Sequence, residues 1–156
     1  MNTIILGVDL AKTAFSVCEM DAAGHVRRRL DLKRDAFALW LAQQPAGTVV
    51  AMEACSGAHH WARRCHEYGL QPWIIAAQFV TPFRKGRRTK NDRADAEAIA
   101  TAARQGNMRF VPVKSIEQQA RFVVASGARR LQDRKSGHRQ SIARAVGRVR
   151  CRRGKE

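Results

Sequence analysis

Apolar positions in this 156-residue chain fall first into short runs of the β type and only later into helical spacing. "TIILGVDLA" (residues 3–11) is a nearly continuous apolar run. "AFSVCEMD" (14–21) alternates and ends in a turn at "DAAGH", and "HVRRRLDL" (25–32) supplies a third extended segment. The pattern predicts an antiparallel meander of three strands. The first, being the most apolar, belongs near the middle of a sheet, and the third at an edge.

Helical spacing begins in "KRDAFALWLAQQPAG" (33–47), where Phe37, Leu39, Trp40 and Leu41 share a register and Pro45 with Gly47 supply a stop. "TVVAMEA" (48–54) predicts a short buried strand. "GAHHWARRCHEYG" (57–69) predicts an amphipathic helix with Trp61 and Cys65 inward, and "LQPWIIAA" (70–77) another strand. "FVTPFRKGRRTKN" (79–91) reads as a basic loop or lid. "DRADAEAIATAARQ" (92–105) is a helix by alanine propensity, with Gly106 as its cap. The order βββαβαβ followed by a helix indicates an α/β domain, with a mixed sheet flanked by helices. No internal repeat of solenoid period is present.

Charge turns this scaffold towards a polyanionic partner. Lys and Arg number 29 against 13 Asp and Glu, a formal net charge of +16, which makes nucleic acid the first expectation. The excess is uneven, because residues 121–156 carry 12 basic and 2 acidic residues among few large apolar ones. That stretch reads as a basic arm, partly helical or disordered. Cys18, Cys55, Cys65 and Cys151 form no C-x-x-C pair, and the N-terminus does not read as a signal peptide, so a reducing cytoplasm is expected. No stretch approaches the roughly 20 apolar residues that span a bilayer, and no membrane partner is expected.

Against that basic background, four acids stand out. Asp9 lies within an apolar strand and Glu53 at the end of another, where an uncompensated carboxylate would cost desolvation energy or become protonated. Asp92 and Asp95 lie at i and i+3 of a helix, so they share a face. Taken singly, each has an ordinary explanation, such as an exposed strand end or an acid at the positive end of the helix dipole. If the helix packs beside the two strand ends, the four carboxylates converge, and their mutual repulsion requires a cation. Hard oxygen donors suit Mg²⁺ or Mn²⁺, which in pairs support phosphodiester displacement. Lys12, Arg84, Lys85, Arg87, Arg88 and Lys90 would then hold the phosphate backbone of DNA beside them.

"GVDLAK" (7–12), "MEACSGAHHWAR" (52–63) and "KNDRADAEAIA" (90–100), in this order and spacing, resemble the N-terminal domain of the DEDD-type insertion-sequence transposases. That group includes the pilin-gene-inverting recombinases and the RNA-guided bridge recombinases. The resemblance covers residues 3–119 and implies a RuvC-like fold of the ribonuclease H class. It also implies that the family's four catalytic, metal-binding acids fall on Asp9, Glu53, Asp92 and Asp95, and that the partners are DNA, a structured guide RNA in some members, and further copies of the chain. Members of this family continue into a domain bearing a nucleophilic serine. Residues 120–156 carry no counterpart, and none of Ser115, Ser126, Ser136 or Ser141 has the context of that nucleophile. The change of composition near residue 120 suggests a truncation or frameshift, and with it a chain that binds nucleic acid and metal without exchanging strands. A non-catalytic nucleic-acid-binding remnant of the same fold is the alternative.

Two other readings are weaker. "GVDLAKTAFSV" is similar to the phosphate-binding strand and turn of sugar kinases and actin-like ATPases, but "DLAKTA" lacks the glycines that let a backbone approach phosphate. Cys55, His59, His60, Cys65 and His66 lie close together, yet not at zinc-finger spacing, and core or surface roles are expected for them.

Overall fold

A computed structural model describes residues 4–84 and 92–121. The three-strand meander is formed by β1 (Ile5–Leu10), β2 (Ala14–Met20) and β3 (Val26–Lys33), paired antiparallel in succession. β1 also pairs in parallel with β4 (Val49–Glu53), and β4 in parallel with β5 (Gln71–Ile75). A two-residue strand, β6 (Phe110–Val111), closes the far edge antiparallel to β5. The six-stranded order is β3-β2-β1-β4-β5-β6, so β1 is interior and β3 is an edge, as the pattern of apolar residues predicts. β6 was not anticipated, because two residues carry no periodicity.

Strand parity divides the chain's apolar residues between two faces. Leu6, Val8, Phe15, Val17, Val50, Met52 and Ile74 lie on one face, beneath α1 (Arg34–Ala42) and α2 (Ala58–Glu67). Phe15, Phe37 and Trp61 meet edge to face there, at centroid distances of 4.9 to 5.3 Å. Trp61 and Cys65 are buried as expected. Leu39 is not: it is 70 % exposed, since a helix that buries Phe37 and Leu41 turns position 39 towards water.

The opposite face carries Ile5, Gly7, Cys18, Met20, Val49, Ala51 and Ile75, and is covered by α4 (Asp92–Ala103). At Gly7 the packing is backbone on backbone. A Cβ on Gly7 would run into the carbonyl oxygen of Ala96 and lie 2.6 Å from the amide nitrogen of Ala100. Only glycine fits at that point of the strand, and only small residues fit on that stripe of the helix. The alanines of α4, read from sequence as helix propensity, therefore also set its closeness to the sheet. Its far end is tied down as well, where Arg104 donates to the carbonyl of Ala22 in the β2–β3 turn. That turn is built on buried Asp21, which accepts from the amides of Ala23 and His25 and from Arg27.

Between β5 and α4, where a loop is expected, the chain forms a short helix α3 (Ala77–Val80) and a 3-10 turn (Thr81–Phe83). Val80 is buried in the α4 face, and Arg84 follows with its amide bonded back to the carbonyl of Thr81. The chain divides into two units, residues 1–115 and 116–156. Of the second, residues 116–121 are described, and they are helical. No helix among the described residues is long and apolar enough to cross a membrane.

Candidate active site

Because β1 and β4 run in parallel, their C-terminal ends lie side by side. Val8 is in register with Met52, and the next residue on each strand is an acid, Asp9 and Glu53. Both follow the parity of Gly7 and Ala51, so both belong to the face covered by α4. Asp95 comes from the first turn of α4, immediately before Ala96, whose carbonyl lies against Gly7. The close helix–sheet contact thus carries an acid of α4 to the strand ends.

One cation joins two of these acids. Arg84 Nη2 lies 2.5 Å from Glu53 Oε2, and Arg84 Nε lies 3.1 Å from Asp95 Oδ1. All three side chains are partly exposed, at 36 %, 22 % and 21 % respectively, so the contact is reachable from solvent. Sequence reading assigns Arg84 to a phosphate backbone, whereas the structure places it on carboxylates. Asp92 opens α4, but its side chain lies outside the described residues, as do Lys85, Arg87, Arg88 and Lys90. Lys12 is exposed, two residues beyond the end of β1.

A second polar row, not foreseen from sequence, extends from Asp9 across the meander. Ser16 pairs with Asp9 on one side and Asp31 on the other. Its hydroxyl donates to Asp31 Oδ1 at 2.8 Å, and Arg93 of α4 donates from Nε to Asp31 Oδ2 at 2.7 Å. Hydrogen bonds first from Arg93 and then from Ser16 hold the Asp31 carboxyl below its usual range. One turn further along α4, Glu97 accepts from Arg29 at 2.6 Å. These pairs fix the start of α4 over β3. Their partners are 62 and 68 residues apart in sequence, and the only local hint is a lone acid within a basic edge strand.

Do the acids suit a divalent ion? Among the described residues, no three of His, Cys, Asp and Glu come together as a metal-binding group. Glu53 and Asp95 nevertheless converge on a single positive charge, with Asp9 on the strand beside Glu53. Their oxygens are hard donors of the kind Mg²⁺ takes. The donor set fits.

The Cys and His run of α2 is used differently. His59 Nδ1 accepts from the amide of Lys114 at 3.2 Å, and Arg63 donates to the carbonyl of Lys114 at 2.7 Å, so the pair fastens the segment after β6. Burial, with lesser contributions from Lys114 and Arg63, lowers the His59 pKa. Burial also pushes the Cys65 thiol up to about 12, while Cys55 is exposed.

The DEDD transposases of the IS110 type, a family described as "Transposase", match residues 6–144, beyond residue 119 where the motif resemblance ends. A "Probable family 20 transposase" of Pseudomonas aeruginosa is 49 % identical over 120 residues, which is 77 % of this chain and 35 % of that protein. The transposase for insertion sequence element IS1111A of Coxiella burnetii is 45 % identical over 115 residues, 74 % of this chain and 31 % of that one. The chain spans about a third of the length of these relatives. Among solved structures, Thermus thermophilus RuvC in complex with a Holliday junction substrate superposes with a TM-score of 0.50. It is 14 % identical and covers 70 % of this chain and 99 % of its own, a likeness of fold.

Proposed function

The chain belongs to the DEDD transposases of the IS110 type, and from that premise we propose that it carries the RuvC-like catalytic part of DNA strand processing in transposition. Asp9, Glu53, Asp92 and Asp95 are the residues that would hold Mg²⁺ or Mn²⁺. The observation that carries this reading is the convergence of Glu53, from the end of β4, and Asp95, from the first turn of α4, on one cation beside the Asp9 strand.

A divalent ion bound there would activate a nucleophile and stabilise the leaving oxygen of a phosphodiester. The chain supplies the frame. Parallel β1 and β4 set two acids side by side, and the Gly7 contact with Ala96 and Ala100 brings α4 close enough to add its own. DNA is the substrate that the family and the basic charge favour, and Lys12, Lys85, Arg87, Arg88 and Lys90 are the proposed backbone contacts. Guide RNA and further copies of the chain belong to the proposal by family resemblance only.

The test is nicking of supercoiled plasmid by the purified protein. Nicking that depends on Mg²⁺ or Mn²⁺ and disappears in Asp9→Asn and Asp92→Asn is expected. Tight DNA binding with no cleavage under either metal would instead leave the domain a binding role.

A further inference from the structure

Arg84 is held in an unusual way for a residue of a basic segment. Its backbone is anchored by the bond from its amide to Thr81, and the preceding Phe83 packs into the α4 face. Its guanidinium uses two different nitrogens on acids from two different elements, Glu53 at the end of β4 and Asp95 on α4. A planar fork suits such bridging, which an ammonium could not reproduce with the same geometry. The side chain is also 36 % exposed, and it borders a cleft of about 470 Å³ lined by Met20, Pro82, Phe83, Glu97 and Thr101. A fixed backbone, a bridging head group and adjoining space allow the guanidinium to leave without disturbing the fold.

We propose that Arg84 and a divalent cation are alternative occupants of the Glu53–Asp95 pair. The guanidinium neutralises and spaces the two acids while no ion is bound, and swings into the adjoining cleft when one binds, so Arg84 sets the metal affinity of the site. This rests on the reading that these acids bind the ion. Like charges brought together repel unless compensated, and a guanidinium and a divalent ion held against the same two carboxylates repel each other, so each weakens the other's hold. Arg84 is therefore a positioning residue whose departure is part of metal loading.

The experiment is Mn²⁺ titration by calorimetry on the full chain, with thermal melting as a second readout. Arg84→Gln is expected to tighten Mn²⁺ binding about fivefold, the order set by two partly exposed ion pairs. Without metal its melting temperature falls below that of the wild type, and Mn²⁺ raises it by more. Arg29→Gln removes the same charge from Glu97 and is expected to change Mn²⁺ affinity by less than about twofold, because it leaves the Glu53–Asp95 pair untouched. Equal or weaker Mn²⁺ binding in Arg84→Gln overturns the proposal, and so does equal tightening in Arg29→Gln, which would mark a general charge effect. If Arg84→Gln does not fold, Arg84→Lys replaces it, with about twofold tightening expected and no change overturning the idea. Glu53→Gln separates the two levels. Mn²⁺ binding that it leaves intact removes the metal-site reading and this inference together, whereas binding that it abolishes, with wild type and Arg84→Gln equal, removes only the inference.

Discussion

The two faces of the sheet hold their helices at different distances. Beneath α1 and α2, large side chains fill the space, with Phe15, Phe37 and Trp61 stacked edge to face over Leu6, Val8, Val50 and Met52. Beneath α4 smaller clusters flank one point of direct contact, where Gly7 meets the backbone of Ala96 and Ala100. The first face is a store of hydrophobic stabilisation. The second also buries Ile5, Val49, Ile75 and Ile99, but its closest contact sets the spacing of α4, and along it lie the pairs of Arg84 with Glu53 and Asp95, Arg93 with Asp31, and Arg29 with Glu97. Both sides of the sheet thus contribute burial, and the α4 side also sets the geometry of the site.

The contrast can be broken from either side. The largest loss of stability is expected from Phe37→Ala, about 4 kcal/mol by urea denaturation, because it empties the middle of the aromatic cluster. At temperatures where the variant remains folded, its Mn²⁺ affinity should match that of the wild type. Gly7→Val should cost about 3 kcal/mol through overpacking and, unlike Phe37→Ala, should abolish Mn²⁺ binding by pushing α4 away. Thiol labelling reports which face has opened. Burial raises the Cys18 thiol to about 11, and that residue packs against Ala96 and Ala100, whereas Cys65 sits in the aromatic face. Gly7→Val should expose Cys18 to labelling and leave Cys65 protected. Equal labelling of both would mean the faces are not independent.

The smallest effect concerns the polar border of α4. The Asp31 carboxyl is held below its ordinary pKa by Arg93 and Ser16, so its ionised form contributes stability above about pH 4, and this is lost as pH falls through its folded-state value. Asp31→Asn should lower the melting temperature slightly at neutral pH, and the difference from wild type should shrink on acidification. A difference that stays constant with pH would show that the charge of Asp31 is not what holds the start of α4.

How much of this was legible in sequence depended on whether a feature was periodic. Alternation and apolar runs revealed the meander, the interior place of β1 and the edge place of β3. Asp9 within an apolar strand and Glu53 at the end of another, with Asp92 and Asp95 sharing a face at a helix start, pointed to the candidate site. Leu39 lies in the helix as expected yet faces water, because a helical register says which residues are neighbours, not where the buried stripe ends. The short elements Ala77–Val80, Thr81–Phe83 and β6 were missed because each spans only about one period, too little for a pattern to repeat. Ion pairs spanning more than 60 residues depend on the assembled fold, and Arg84 in particular was indistinguishable from its basic neighbours until the 3-10 turn before it was seen to aim it at carboxylates.

The bond from Arg104 to the β2–β3 turn has a mechanical meaning. With Arg93 clasped by Asp31 at one end and Arg104 by Ala22 at the other, α4 is a beam resting on two bearings, and its midpoint presses on Gly7. Such a beam cannot slide to accommodate a change in its own length. One residue inserted between the bearings would rotate one end against the other by about 100°, so that either the acid at its head or the latch at its tail would lose its seat.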